Sequence, residues 1–289
     1  MSSTEASSIP FRTIKTITDD FSDTKKIGSG GYGEVYRGLL NGDEVAVKKL
    51  FPVNDIVDVD FNNEFSNLMK VQHKNIVRLL HYCYEKAHKH TEQNGQYFFS
   101  EEITHLSASD PFVVVLFRVF ISRNNGHQRE RSKQTTTRAK PENLLMDERM
   151  VPKIADFGLA RLFGEKATHI MTQNVMGSYG YIAPEYRYSG QVSLQADIYS
   201  LGILIMEITT GEKNISNDKD LPGMQYIENV RQIWTEEHIV SKYPKLDGTR
   251  FHEVKTCIKI GVECVKLQRK ERPAINEIVE WLNGTRNGF

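Results

Sequence analysis

The apolar residues change their spacing several times along the chain. From Phe21 to Lys49 they form short β-type runs, Glu34-Val35-Tyr36-Arg37 and Glu44-Val45-Ala46-Val47-Lys48, with Asn41-Gly42 between them. Asn-Gly in that place predicts a hairpin, because both residues tolerate the left-handed backbone of a tight two-residue turn. Val77–Tyr84 and Gln96–Phe99 predict further strands, whereas Phe61, Phe65, Leu68 and Met69 recur at helical spacing and predict an amphipathic helix carrying Glu64. Ile198 to Ile208 is apolar almost all round, the pattern of a helix at the centre of a domain. Ile275, Ile278, Val279 and Leu282 predict a last amphipathic helix.

Between these regular parts the pattern fails twice. Residues 1–20 begin polar and small and read as a flexible N-terminal segment. Residues 103–139 hold one β-like apolar run, Pro111 to Ile121. A stretch with no apolar residue follows, Ser122 to Arg138, rich in Arg, Gln, Asn, Ser and Thr, and it predicts a disordered loop. The chain thus divides into 1–20, an N-terminal lobe over 21–102, an atypical segment over 103–139 and a C-terminal lobe over 140–289. No internal repeat is evident.

Composition narrows the function classes. The chain has 289 residues with 37 basic and 37 acidic side chains, a formal net charge of zero, so nothing points to a nucleic-acid or membrane-surface partner. Cys83, Cys257 and Cys264 form no C-x-x-C pair, as is usual in a reducing compartment. The start carries no secretory signal, and the run Phe112–Phe117, broken by Arg118, is too short to span a bilayer. These features predict a cytosolic protein without a transmembrane segment. The N-x-S/T sequons at Asn214 and Asn283 are then chance matches.

The candidate chemistry begins at Ile27-Gly28-Ser29-Gly30-Gly31-Tyr32-Gly33-Glu34-Val35-Tyr36. Glycines let a hairpin backbone approach phosphate oxygens. A dinucleotide-binding loop of similar spacing opens a helix and is followed about twenty positions on by an acidic residue. Here the loop runs into a strand, and Val45-Ala46-Val47-Lys48 follows, offering a positive charge on the neighbouring strand. Glu64, mid-helix, can hold the head of Lys48 by an ion pair. Asp156, in Ile154-Ala155-Asp156-Phe157-Gly158, sits between an apolar strand and a glycine turn, where a carboxylate can hold Mg2+ against phosphate. Asn143 can supply a second metal ligand.

Together these residues resemble the eukaryotic protein-kinase family, and more narrowly the cytoplasmic part of plant receptor-like kinases. The resemblance rests on Phe21-Ser22 before the glycine loop, on His73-Lys74-Asn75-Ile76-Val77-Arg78-Leu79, on Lys140-Pro141-Glu142-Asn143, on Lys153 to Arg161 and on Gly180-Tyr181-Ile182-Ala183-Pro184-Glu185-Tyr186. It implies an α+β, bilobal protein-kinase fold with a small antiparallel-sheet N-lobe, a mostly helical C-lobe, and ATP and Mg2+ as cofactors. It further implies a serine/threonine kinase acting on a protein substrate or signalling partner, in the cytoplasm and in association with a plasma-membrane receptor complex. By the same resemblance Gly28, Ser29, Gly30, Gly31, Tyr32 and Gly33 cover the phosphates, and Ile27, Val35 and Ala46 lie against the adenine. Lys48 pairs with Glu64, Lys140 approaches the transferred phosphate, and Asn143 and Asp156 bind magnesium. Glu185 and Arg272 form a buried pair, Asp197 anchors the catalytic loop, and Thr168, Thr172 and Ser178 lie in the activation segment.

One position departs from that pattern. The catalytic-loop aspartate is expected five residues before Asn143, where this chain has Arg138. Arginine cannot accept a proton near neutral pH. Loss of general-base help costs about 10²–10⁴-fold in rate, so the expected transfer is weak or absent. Residues 103–139 also do not resemble the family's hinge and first C-lobe helices, which predicts an incomplete C-lobe. Three readings stand: a phosphotransferase, a pseudokinase that holds nucleotide or partners without useful catalysis, and a kinase chain altered by splicing or a shifted reading frame.

Overall fold

The computed structural model describes residues 6–30, 33–51, 75, 77–85, 96–102, 134–135, 143–147, 151–155, 161–162, 169–172, 175, 177–214 and 223–285. They fall into two compact units. The first holds the described residues up to 102 together with 145–147 and 153–155, and the second holds the others.

The first unit is built on a six-stranded sheet. Its strands are β1 (Ser7–Ser8), β2 (Lys26–Gly30), β3 (Gly33–Leu40), β4 (Asp43–Leu50), β5 (Leu79–Glu85) and β6 (Gln96–Glu102), in the order β1-β5-β6-β4-β3-β2. All neighbours are antiparallel except β1, which runs parallel to β5. The β3–β4 hairpin closes at Leu40↔Asp43 through Asn41 (φ 54°) and Gly42 (φ 95°), the two left-handed residues that the Asn-Gly signal predicts. Among the described residues no atom beyond its chain neighbours lies within 4 Å of a Cβ built at Gly42, so there backbone conformation is what disfavours a side chain. Gly42→Ala is expected to cost about 1 kcal/mol in a urea titration followed by circular dichroism. A neutral result would mean that the turn is not held left-handed in solution.

The sheet has two unlike faces. Paired residues on adjacent strands share a face, and residues two apart on one strand do too. Tyr36, Val45 and Val47 therefore lie together, and they are buried. What buries them is α1 (Phe11–Ile17), whose Ile14 is completely enclosed with Val45, Val47 and Cys83, flanked by Ile9, Ile17 and Phe21. The expected flexible start is thus corrected for residues 6–20. Ile14 removes enough apolar surface from water to hold a short helix that would be marginal alone. After α1 the chain turns through Asp19, Asp20 and Phe21, all with positive φ (51°, 55° and 59°). The Thr18 hydroxyl accepts a hydrogen bond from the Phe21 N–H at 3.2 Å. The Phe21 ring stacks on Phe11 and meets Tyr36 edge-on at 5.4 Å, beneath the Lys49 ammonium. That packing holds a bulky residue in a conformation it would otherwise avoid.

The short strands β7 (Gln134–Thr135), β8 (Leu144–Met146), β9 (Pro152–Ile154), β10 (Arg161–Leu162), β11 (His169–Met171) and β12 (Gln191–Ser193) form three ribbons, β7–β10, β8–β9 and β11–β12. Gln134 and Thr135 fall in the stretch expected to be disordered, and for these residues that expectation is corrected by their antiparallel pairing with Leu162 and Arg161. Within the first unit Ile154 exchanges backbone hydrogen bonds with Asn75 and Val77.

Helices dominate the second unit: α2 (Pro184–Ser189), α3 (Leu194–Thr210), α4 (Met224–Ile233), α5 (Glu236–Lys242), α6 (Gly248–Cys264) and α7 (Ile275–Leu282). Their ends carry the expected chemistry. Ser193, Thr235 and Asp247 cap the N-termini of α3, α5 and α6 with side-chain oxygens, and Gly190 and Gly211 close α2 and α3 in left-handed backbone. The all-apolar run expected to be a central helix is α3, with Tyr199, Ile203 and Met206 in a core that also takes Ile227, Val230, Trp234 and Ile258. Helices α3 and α6 meet at glycines: a Cβ at Gly202 would stand 2.6 Å from that of Cys264 and 2.9 Å from the Gly261 carbonyl oxygen. The predicted last helix is α7.

Candidate nucleotide site and its supporting pairs

The glycine loop is a strand pair. Opposite residues are Gly28 and Val35, Ser29 and Glu34, Gly30 and Gly33. Ile27 is extra on β2, so the register slips between Lys26 and Gly28. On β4, Lys48 faces Val35 and Ala46 faces Arg37. Gly28, Val35, Ala46 and Lys48 therefore share the face opposite α1, with Val35, Ala46 and Lys48 half-buried. On that face the structure brings together Gly28, Val35, Ala46 and Lys48 of the positions named from the sequence.

The two described glycines that frame this ribbon differ in what requires them. At Gly33 an added Cβ would run into the Lys49 carbonyl oxygen and stand 3.1 Å from the Leu50 Cα, so the fold itself demands glycine. At Gly28 it would meet only the Val35 side chain, at 3.8 and 4.0 Å, an ordinary contact. Among the described residues nothing requires a glycine there. Among the described residues only Val35 borders that position, on the face that also carries Lys48, and in this respect the residues present suit a bound nucleotide.

Of the remaining expected site residues, Asn143 is buried in the second unit just before β8. Gly31, Tyr32, Glu64, Arg138, Lys140 and Asp156 lie outside the described residues, as do the helix expected around Glu64, the run Pro111–Ile121 and Thr168. Thr172 follows β11, and its N–H donates to the Gly190 carbonyl at 2.9 Å. Ser178 is half-buried, and its carbonyl accepts from the Tyr181 N–H. Asp197 stands in the first turn of α3. Among the described residues no group of three or more His, Cys, Asp and Glu side chains could hold a metal ion, and no helix is long and apolar enough to cross a membrane.

The expected pair of Glu185 and Arg272 is present as a two-pronged contact. The Arg272 Nη1 and Nη2 atoms donate to Glu185 Oε1 and Oε2 at 2.6 and 2.8 Å, with the arginine side chain fully buried. The same guanidinium also donates to the carbonyls of Lys266, Gln195 and Leu267 and lies over the Tyr199 ring at 5.0 Å. Burial is the main cause that pushes the Tyr199 hydroxyl up to about 12.

A second buried carboxylate was not singled out from the sequence. Glu207, the one acidic residue within the apolar run of α3, accepts from the Tyr181 hydroxyl and, at 2.5 Å, from the Asn214 N–H. The Asn214 side-chain amide donates to the Gly180 carbonyl at 3.0 Å. The sequon at Asn214 is therefore buried and its amide is engaged in the fold. A lone charge within an otherwise apolar run was the available signal, since such a group is kept only when it is paired.

Comparison with known proteins decides the family. The model of the protein kinase domain matches residues 21–110 and 139–282. The chain belongs to the protein kinase domain family. The kinase match is interrupted over residues 111–138, inside the segment 103–139 in which the sequence pattern fails. Relatives in Arabidopsis thaliana include cysteine-rich receptor-like protein kinase 29, 35% identical over 98% of this chain and 43% of that protein. A G-type lectin S-receptor-like serine/threonine-protein kinase is 34% identical over 99% of this chain and 36% of that protein. Cysteine-rich receptor-like protein kinase 44 is 35% identical over 95% of this chain and 76% of that protein. The kinase chain thus spans about two fifths of the length of the first two. Its sheet unit and its helical unit are the kinase N-lobe and C-lobe that the resemblance implies.

Proposed function

We propose that this kinase domain binds ATP with Mg2+ on the face of β2, β3 and β4 opposite α1, and that it holds the nucleotide better than it transfers phosphate. The observation that carries the proposal is the glycine at position 28, which no contact among the described residues requires, on the same face as Lys48. By the family resemblance Ile27, Val35 and Ala46 would lie against the adenine, and Gly28, Ser29, Gly30, Gly31, Tyr32 and Gly33 would cover the phosphates. Lys48, paired with Glu64, would bring its charge to them, Asn143 and Asp156 would hold the metal, and Lys140 would approach the transferred group. Bound Mg-ATP would supply the transferable γ-phosphoryl group and the metal charge that balances it.

The relatives, which are named as receptor-like and serine/threonine-protein kinases, support an acceptor class. It is a protein hydroxyl in a signalling complex on the cytoplasmic side of a membrane receptor. Arg138 favours the pseudokinase form of this reading, because it can neither take the proton from that hydroxyl nor attract it as a carboxylate would. Calorimetric titration with Mg-ATP tests binding. The chain should bind and Lys48→Met should weaken binding by about tenfold or more, the equivalent of about 1.4 kcal/mol. Absence of binding by the unsubstituted chain overturns the proposal. Radiolabelled transfer to casein tests the chemistry: Arg138→Asp should raise a low rate by about 10²–10⁴-fold. No gain would place the defect in residues 103–139 as a whole.

A further inference from the structure

The bulge at Ile27 has a consequence for side-chain chemistry. Continued at the Gly28↔Val35 spacing, the register would set Lys26 opposite Arg37, on the face of Val35 and Lys48. The extra residue sets it opposite Tyr36 instead, on the other face. There Lys26 reaches Glu34. Its Nζ lies 2.5 Å from Glu34 Oε1, and the Tyr36 hydroxyl donates to Glu34 Oε2 at 2.7 Å. The Glu34 side chain is only 20% exposed and that of Lys26 31%, so solvent screens this contact less than an ordinary surface pair. Lys49 of β4 stands opposite Glu34 on the same face, and Asp23 also acts on Tyr36.

We infer that Glu34 is a positioning residue for the glycine ribbon: gripping Lys26 on β2 and Tyr36 on β3 at once, it locks the bulged register and fixes where Ile27 and Gly28 stand. Both of its carboxylate oxygens are engaged, one by each strand, so β2 cannot slide by a residue without losing the ion pair and returning Lys26 to the face of Val35 and Lys48. Titration behaviour agrees. The Glu34 carboxyl lies below its usual range, first because of its bond to Lys26 and then that to Tyr36. The Tyr36 hydroxyl is pushed up to about 12 by burial and by its bond to the Glu34 carboxylate. The ribbon is glycine-rich and gains little rigidity from its own backbone, so a side-chain brace outside the ligand face supplies order without occupying it. The effect on ligand affinity rests on the nucleotide reading above, whereas the brace itself does not.

Amide hydrogen exchange over residues 26–36 of the full chain, read beside Mg-ATP affinity from calorimetry, tests both parts. Glu34→Gln and Lys26→Met should each raise exchange in this segment by about tenfold. The double substitution should add little, and exchange in α3 should not change. Lys26→Arg, which keeps the charge, should stay near the unsubstituted chain. Mg-ATP affinity should fall by about three- to tenfold in Glu34→Gln and recover in no variant that lacks the pair. Unchanged exchange in Glu34→Gln and in Lys26→Met, in a chain that binds Mg-ATP, overturns the positioning role and leaves the nucleotide reading intact. Raised exchange in a chain that binds no Mg-ATP supports the brace and overturns the nucleotide reading instead. Should Glu34→Gln fail to fold, Lys26→Met carries the same measurement.

Discussion

Arg272→Ala is expected to destabilise the helical unit by about 3–5 kcal/mol, the cost of breaking a buried ion pair by removing one partner. The loss extends beyond the pair. Glu185 would keep a carboxylate almost shut off from water, and the carbonyls of Lys266, Gln195 and Leu267 would lose the donor that now satisfies them. The Tyr199 ring would lose its cationic neighbour. Both tryptophans of the chain, Trp234 and Trp281, lie in the second unit, so urea unfolding followed by tryptophan fluorescence reports on it directly. Glu185→Ala should cost less than Arg272→Ala, because the arginine retains its three carbonyl partners. The double substitution should cost clearly less than the sum, the signature of direct coupling. Arg272→Lys should behave almost like the alanine variant, since an ammonium cannot give a two-pronged contact. A loss below about 1 kcal/mol for Arg272→Ala would mean that the pair is open to solvent and contributes no more than a surface bridge.

How much of this could be read in advance follows from how local each signal is. The Asn41–Gly42 turn was legible because turn chemistry is decided by the two residues in the turn. Helices α3 and α7 were legible because periodicity over several turns reports one buried stripe. Residues 6–20 were not. Their helix has seven residues and one fully buried side chain, Ile14, and the left-handed run at Asp19, Asp20 and Phe21 is held by partners on other elements. Gln134 and Thr135 pair with a strand more than twenty residues away, a non-local contact with no sequence signature. In the candidate site the glycines and Lys48 were readable from spacing, and Val35 and Ala46 from the family resemblance, whereas Glu34 was not. On its own strand Glu34 looks like a solvated carboxylate. Its partner Lys26 comes within reach only through the bulge at Ile27, and a single extra residue in one strand leaves no mark on the hydrophobic pattern.

Gly33→Ala and Gly28→Ala should separate fold from function on one ribbon. At Gly33 the new methyl group would press on the backbone of β4, at the Lys49 carbonyl and the Leu50 Cα, where no flexible side-chain end can yield. The strands must part, and a loss of about 3 kcal/mol, the upper part of the range for overpacking, is expected in the sheet unit. Calorimetric or circular-dichroism unfolding measures it. At Gly28 the methyl group would find ordinary contact with Val35 and no positive φ to forbid it. Stability there should stay within about 0.5 kcal/mol of the unsubstituted chain. The added methyl group would nevertheless occupy the space that the ribbon leaves open on the Lys48 face, so Mg-ATP affinity should fall by about tenfold, about 1.4 kcal/mol. Two glycines five residues apart in one motif would then be present for opposite reasons, one closing the fold and one leaving room for the ligand. A Gly28→Ala variant that binds Mg-ATP as tightly as the unsubstituted chain would remove the observation on which the nucleotide reading stands. A Gly33→Ala variant of full stability would show that β3 and β4 lie farther apart at this point than the register places them.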